Sequence, residues 1–277
     1  MSYVNPYLAK MDISKLKPEE ITDALDNHYT QLRKFVKGVC DDKFHLIVNG
    51  DAGMGKTEIT NEVVEKETEK TKKQPFSISG TISPVKLYGK FQDARKKGQV
   101  LIIDDTDKIL EDQESLEVLK GVLDTQKDKV VSWDKYSTAI KKSNKSTEFK
   151  YEGRCIIITN KMLRTAPDKE PTIAQQRLLP VLSRCHYFKA GVPSNQWKMA
   201  AIKMHQKTHL SIYDEYVYEL RCFKGVPIDI QNEIISWLDE HQDEVRELSF
   251  RVCARLVQLR NQEPDFWKEM AESSECY

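Results

Sequence analysis

The stretch that decides the fold is residues 45–57, which read His45-Leu-Ile-Val-Asn-Gly50-Asp-Ala-Gly-Met-Gly-Lys-Thr57. A short apolar run leads into a glycine-rich segment that fits the pattern GxxxxGK[ST], and a charged helical stretch follows through about Lys70. A strand, a glycine-rich turn and a helix in this order are the context that a phosphate-binding loop requires. We use that name for Gly50, Asp51, Ala52, Gly53, Met54, Gly55, Lys56 and Thr57.

The residue types of the phosphate-binding loop suit a nucleotide. Glycines let successive backbone N–H groups turn toward an anion, and the N-terminus of the following helix adds its dipole. We expect Lys56 to reach the β- and γ-phosphates of ATP and the Thr57 hydroxyl to ligate Mg²⁺. A glycine turn that only opens a helix would leave the Lys56-Thr57 pair unexplained, so we interpret the loop as an ATP site.

A second acidic segment ends another buried strand. Val100-Leu-Ile-Ile103 is followed by Asp104-Asp105-Thr-Asp107. Carboxylates at the carboxyl end of a neighbouring strand can meet the metal beside the phosphates, so we expect Asp104 to ligate Mg²⁺. Asp105 would then act on the attacking water as a general base, with Asp107 as the alternative. The same run is also a plausible turn at the end of a strand.

Strand-length apolar runs alternate with helical periodicities over the first 190 residues, and helical patterns then follow at about 194–208, 227–241, 248–260 and 264–272. Apolar runs without alternation are typical of strands covered on both faces of a parallel sheet. We therefore predict an α/β core, a parallel sheet between helices, followed by a small all-helical lid domain. The predicted boundaries are 1–40 for an N-terminal helical segment, 41–191 for the core with a β-hairpin insertion near 130–151, and 192–277 for the lid.

These motifs together carry a family resemblance. The phosphate-binding loop, the strand ending in Asp104-Asp105 and the segment Ile156-Ile-Ile-Thr-Asn160 resemble the AAA+ ATPases. The resemblance implies that a polar residue after the last of these strands, called sensor 1, helps to hold the attacking water. Asn160 has that position, with Thr159 as the alternative.

Two arginines take roles that only the resemblance implies. Leu182-Ser-Arg184-Cys is similar to the SRC segment of clamp-loader ATPases, so Arg184 would be an arginine finger that reaches a neighbouring subunit's nucleotide, with Arg177 as its competitor. Arg251 in Leu-Ser-Phe-Arg would be the lid arginine called sensor 2, with Arg255 as the alternative. The family also implies ATP, Mg²⁺ and a homo-oligomer, which we expect to be a hexameric ring.

One residue departs from the family pattern, because the second acid of the Asp-Glu pair is Asp105 here. Its carboxylate is shorter by one methylene, and a displacement of ~1 Å at a reacting group is costly. Slow hydrolysis, or hydrolysis only in the assembled state, would follow. Other segments, among them Ile78-Ser-Gly-Thr-Ile-Ser83, are loosely similar to AAA+ ATPases encoded by phages.

The predicted hairpin suggests what the protein acts on. Its residues 135–150 contain Lys135, Lys141, Lys142, Lys145 and Lys150 against the single acid Glu148. Lysines on a projecting hairpin can contact the phosphates of single-stranded nucleic acid without reading sequence, although lysines also favour any solvated hairpin tip.

Two other classes of function compete with nucleic-acid translocation. A protein remodeller would need an aromatic pore loop, but Tyr88-Gly89 falls inside a helical pattern, so we interpret Tyr88 as a packing residue. A nucleotide-gated scaffold that does not hydrolyse ATP is the third class, and it is motivated by the short Asp105.

Composition excludes several other classes. The 43 basic and 43 acidic residues cancel, so global charge predicts no attraction to nucleic acid or membrane. No apolar run approaches the ~20 residues of a membrane span, so we expect a cytoplasmic protein without a membrane partner. The six cysteines form no CxxC pair, and His205 and His209 resemble an exposed helix face rather than a metal site.

Overall fold

The computed structural model describes residues 4–124, 126, 130–134, 137–138, 140, 145–161, 163, 170–206, 209–213, 217–218 and 221–277. The chain divides into two compact units. The described part of the first unit falls within Leu32–Gly50 and Lys56–Ala190, and that of the second within Val4–Gln31, Asp51–Gly55 and Gly191–Tyr277. Helix α1 (Pro18–Cys40) contains residues of both units.

The first unit is built on a five-stranded parallel sheet. Its strands are β1 (His45–Asn49), β2 (Phe76–Ser79), β3 (Val100–Asp104), β6 (Arg154–Thr159) and β7 (Cys185–Lys189), in the order β2-β3-β6-β1-β7. All five residues of β1 are buried, as are the last five of β6, because helices cover the sheet on both faces. The predicted α/β fold class with a central parallel sheet is confirmed.

In the part of the first unit that the structure describes, the helices that connect these strands are α2 (Lys56–Thr71), α3 (Pro84–Asp93), α4 (Gln113–Val122) and α5 (Ile173–Leu182). Two of these helices show their start signals clearly in the sequence. Pro84 supplies the fixed φ of a first helical turn, and the Asp112 carboxylate caps α4 by accepting from the Ser115 N–H. Apolar side chains of α3, α4 and α5 form one core with β3 and β6.

The first unit also contains a two-stranded antiparallel ribbon, within the range where we predict a hairpin insertion. Strand β4 (Val130–Ser132) pairs antiparallel with β5 (Glu148–Lys150), and Val131 lies opposite Phe149. Both of those side chains are buried, while their neighbours along each strand are exposed, which is the alternation of a half-covered ribbon. The hairpin thereby joins the core through one face.

The second unit is mainly helical, with α6 (Asn195–Gln206), α7 (Ile228–Glu240), α8 (Phe250–Gln262) and α9 (Trp267–Glu275). The helical character predicted for this region is confirmed, and one short two-stranded ribbon accompanies the helices. Strand β8 (His209–Leu210) pairs antiparallel with β9 (Val217–Tyr218). Two residues per strand are too few to produce a readable alternation, so the sequence pattern could not reveal them. None of the described helices in either unit is long and apolar enough to cross a membrane.

Candidate nucleotide site

The glycines of the phosphate-binding loop are required by its backbone. Gly53 and Gly55 have φ values of +68° and +83°, a left-handed region that residues with a Cβ rarely adopt. Helix α2 begins at Lys56, immediately after the second of these glycines. The first N–H groups of a helix have no partner within it, so this turn can present donors to an anion.

Lys56 is held inside the site by oxygen atoms. Its Nζ donates to the Gly50 carbonyl at 2.9 Å and to the Asn160 Oδ1 at 2.7 Å, and the residue is only 5% exposed. A buried ammonium is costly unless hydrogen bonds satisfy it, and phosphate oxygens would satisfy it better than neutral carbonyls do. The predicted sensor residue Asn160 therefore contacts the predicted phosphate-binding lysine directly.

Sheet topology explains why distant segments meet here. Strand β6 lies between β1 and β3, and all three are parallel, so their carboxyl ends share one edge of the sheet. This edge holds Gly50 after β1, Asp104 at the end of β3 and Asn160 after β6. The Thr57 hydroxyl donates to the Asp104 Oδ2 at 2.8 Å. Residues from three separate sequence motifs thus occupy one site.

The Asp104 carboxylate suits a divalent cation. Its Oδ1 is buried and has no hydrogen-bond partner in the described part of the chain, whereas its Oδ2 accepts from Thr57. Burial raises the pKa of Asp104, and the hydrogen bond from Thr57 acts in the opposite direction. A nearby cation would stabilise the charged form, and carboxylate and hydroxyl oxygens are ligands of the kind that Mg²⁺ takes. The residues present therefore fit the expected metal.

Asp105 has a backbone conformation that its residue type helps to allow. Its φ is +49°, and its side chain is exposed. Aspartate is enriched several-fold in the left-handed region compared with other residues that carry a Cβ. The local backbone thus favours the shorter acid at the position where the family resemblance leads us to expect Glu. Within the described residues, no hydrogen bond engages the Asp105 carboxylate.

Thr159 and Asp107, the two alternatives to the predicted residues, are bonded to each other. The Thr159 hydroxyl donates to the Asp107 Oδ1 at 2.5 Å and accepts from the Lys161 N–H at 3.1 Å. Thr159 is buried, whereas Asn160 is exposed. Lys161 also pairs with Glu111. These contacts hold Thr159 and Lys161 on either side of Asn160, and Asn160 is the residue that reaches Lys56.

Asn49 is a residue that the sequence interpretation missed. It ends β1, is fully buried, and donates from Nδ2 to the carbonyl oxygens of Thr159 and Lys161 at 3.0 and 2.6 Å. Asn49 therefore holds the backbone on both sides of Asn160. An Asn before a glycine-rich turn is an ordinary turn residue, so only its position at the end of an otherwise apolar strand hinted at this role.

Arg184 lies at the other edge of the sheet. It directly precedes β7, and Cys185 is in register with His45 at the start of β1. The five residues of β1 place roughly 16 Å of strand between this edge and Gly50. Arg184 donates to the Pro180 carbonyl at 2.7 Å and lies 3.9 Å from an Asp124 carboxylate oxygen. Its competitor Arg177 is exposed on α5.

Arg251 lies beside Gly53, within the part of the phosphate-binding loop (Asp51–Gly55) that belongs to the second unit. The Phe250 N–H, at the start of α8, donates to the Gly53 carbonyl at 2.9 Å. A Cβ on Gly53 would come within 3.3 Å of the Arg251 Cγ. By contrast, Arg255 forms a bidentate pair with Glu275, with distances of 2.7 and 2.5 Å. The structure thus places Arg251, and not Arg255, next to a loop glycine.

The hairpin lysines differ in what the structure shows of them. Lys135, Lys141 and Lys142 lie outside the described residues. Lys145 forms an ion pair with Asp93, and Lys150 is exposed at the end of β5. The predicted lysine cluster at the hairpin tip therefore stays a prediction.

Two interpretations of aromatic and imidazole side chains can be compared with the structure. Tyr88 is fully buried and packs against Trp133 and Phe149, so the prediction that it is a packing residue is confirmed. The description of His205 as part of an exposed helix face was wrong. His205 is buried, and its Nδ1 lies 2.7 Å from the Ala201 carbonyl, because the apolar neighbours of α6 carry it inward. Helix α6 also ends before His209.

Comparisons with known proteins give distant similarities. No protein-family profile matches the chain. The chain is 27% identical over 282 residues to an uncharacterized 36.7 kDa protein encoded in the nrdC-mobD intergenic region of Enterobacteria phage T4, covering 96% of this chain and 81% of the relative. A solved structure of a RuvB point mutant from Thermotoga maritima is similar with a TM-score of 0.44 and 11% identity, covering 96% of this chain and 73% of that one.

Proposed function

We propose that this protein is an AAA+-type ATPase that binds MgATP and hydrolyses it within a homo-oligomeric ring, coupling hydrolysis to the movement or remodelling of a macromolecule. The observation that carries the proposal is the convergence of Lys56 with Asn160 and of Thr57 with Asp104, at 2.7 and 2.8 Å. Those four residues come from three motifs that are up to 104 positions apart in sequence. A phosphate and metal site requires them together.

The residues divide the chemistry among them. Lys56 contacts the β- and γ-phosphates, and Thr57 with Asp104 would hold Mg²⁺, which neutralises phosphate charge when bound. Asn160 orients the attacking water and Asp105 accepts its proton. A bond forms between the water oxygen and the γ-phosphorus, the bond from that phosphorus to the ADP oxygen breaks, and ADP and phosphate leave.

Two arginines complete the proposed site. Arg184 lies at the edge of the sheet opposite its own phosphate-binding loop, so it would act on the nucleotide of an adjacent subunit in the ring. A finger in trans makes turnover depend on assembly. Arg251, beside Gly53, would sense the nucleotide from within its own chain.

Nucleic acid is the macromolecule we favour, because of the excess of lysine in residues 135–150. A nucleotide-gated scaffold is the second candidate, and the short side chain of Asp105 favours it. The nucleic-acid ATPase should hydrolyse its bound ATP, whereas the scaffold should bind ATP without hydrolysing it. Remodelling of a protein substrate has less support, since the aromatic residue that would grip it, Tyr88, is buried.

The ATPase proposal is tested with Lys56→Ala and, as a matched control, Lys66→Ala on the exposed side of the same helix. We expect Lys56→Ala to reduce ATP affinity or turnover by about 10²-fold or more, because it removes a preorganised charge beside the phosphates. Lys66→Ala should match the parental protein. Binding of a fluorescent ATP analogue and release of phosphate measure the two effects separately. A folded Lys56→Ala protein with parental binding and turnover would contradict the proposal. If the parental protein itself binds the analogue but releases no phosphate, the scaffold is supported instead.

A further inference from the structure

The zero net charge of the chain conceals a strong separation of charge between its two units. Counted over the sequence ranges of each unit, the first has 30 Lys and Arg against 22 Asp and Glu, a net charge of +8. The second has 13 against 21, a net charge of −8. Charge separated in this way gives one surface a field that the overall composition does not predict.

Part of the positive charge forms a contiguous band on the first unit. We name it the basic band, and it consists of Lys73, Arg95, Lys96, Lys97 and Lys150, all exposed. Lys73 precedes β2, the segment 95–97 precedes β3, and Lys150 is followed closely by β6. The band therefore lies at the amino-terminal edge of the sheet, opposite the edge that holds the phosphate-binding loop.

Contacts and cavities show that the band is continuous. The Lys73 ammonium donates to the Lys97 carbonyl at 2.9 Å. Lys97 and Lys150 line one open cavity of about 870 Å³, and Lys150 lines a second one of about 330 Å³ together with Arg95 and Lys96. Because Lys150 lines both cavities, it connects Lys97 in the first with Arg95 and Lys96 in the second.

The positive charge of the band exceeds the acids around it. Glu148 and Glu152 line the same cavities, which leaves a local excess of three positive charges. The other charged groups there are largely paired, since Asp42 pairs with Arg154 and Asp124 lies near Arg184. Among the described residues, no carboxylate forms an ion pair with Lys73, Arg95, Lys96 or Lys97.

We propose that the basic band binds the phosphate backbone of nucleic acid without reading the bases. Exposed aromatic rings would be needed for stacking on unpaired bases, and the aromatic side chains beside Lys150, Phe149 and Tyr151, are buried. The residues of the band therefore offer charge, and the rings nearest to them in the larger cavity are the half-buried Phe44 and the exposed His186. Duplex DNA presents one phosphate charge per ~1.7 Å of axis. Duplex binding should be at least as strong as single-strand binding. The proposal deepens the proposed function by naming the partner and its surface, and it does not require a functional ATP site.

The test measures fluorescence anisotropy of a labelled 30-base-pair duplex of arbitrary sequence, and of oligo-dT, with the full-length protein between 50 and 200 mM salt. The band variant is Lys96→Gln with Lys97→Gln and Lys150→Gln. A control variant removes the same charge from exposed positions of the second unit, with Lys10→Gln, Lys224→Gln and Lys268→Gln. Lys56→Ala is measured in parallel, so that loss of nucleotide binding and loss of DNA binding can be distinguished.

With five phosphate contacts, the slope of log affinity against log salt should be about −4.5, which is a roughly 500-fold loss over this range. The band variant should show a slope near −1.8, while the control and Lys56→Ala keep the parental slope. The proposal is overturned if the parental protein shows no salt-sensitive binding, if the control loses as much as the band variant, or if oligo-dT binds much more tightly than duplex. Binding to polyglutamate in place of DNA would assign the surface to an acidic protein and also overturn it.

Discussion

The Tyr187 hydroxyl donates a 2.6 Å hydrogen bond to the Oδ1 of Asn49. That bond fixes which way the Asn49 amide faces, so its Nδ2 is directed at the two carbonyls that flank Asn160. Tyr187 lies on β7, three residues after Arg184. One hydrogen-bonded path therefore joins the strand that follows the proposed finger to the residues that flank the proposed sensor.

Tyr187→Phe should lower kcat for ATP about 10-fold with little change in KM, because Asn160 would be held less firmly during the reaction while Lys56 still binds the phosphates. Tyr151→Phe is the matched control, since its hydroxyl donates to the Arg154 carbonyl at the opposite edge of the same sheet. Each change removes one hydrogen bond worth about 1 kcal/mol of stability. Steady-state kinetics of both variants would refute the positioning role if their kcat values fell equally.

Asp105→Asn should bind MgATP normally and lose turnover by about 10²-fold or more, because an amide cannot accept the proton of the attacking water. Asn tolerates the left-handed backbone at this position as well as Asp does, so the change leaves the turn intact. Single-turnover hydrolysis after confirmed nucleotide binding is the appropriate measurement. A parental rate would move the base elsewhere, and Asp107 would then have to release Thr159 in order to serve.

Arg184→Ala should bind ATP but hydrolyse it slowly even when assembled, because the finger acts on the nucleotide of the adjacent subunit. Mixing it one-to-one with Lys56→Ala should restore activity to about a quarter of the parental rate, since a head-to-tail interface brings an intact loop to an intact finger at one site in four. Arg177→Ala, tested in the same way, covers the competing assignment. Activity per subunit that does not depend on concentration, in a species shown to be monomeric by light scattering, would exclude a finger in trans.

Much of the fold could be predicted because its signals are local. An apolar run predicts a buried strand at its own position, as for β1, β3 and β6. The glycines of the phosphate-binding loop likewise predict the turn in which they lie. The strand order and the hydrogen bonds of Asn49 could not be predicted, because they depend on which strands become neighbours in the folded sheet. The basic band was missed for the same reason, since Lys73, residues 95–97 and Lys150 become adjacent only through the sheet edge.

Arg251→Ala and Arg255→Ala should separate the two assignments of the lid arginine. Arg251 is exposed and lies beside Gly53, so its removal should slow turnover and leave the melting temperature unchanged. Arg255 holds the buried Glu275 by two hydrogen bonds, so its removal should cost about 1–2 kcal/mol, or several degrees of melting temperature, with turnover at 20–25 °C retained. Thermal melts and ATPase rates are measured on the same samples. The sensor assignment would pass to Arg255 if its variant lost turnover while Arg251→Ala hydrolysed ATP at the parental rate.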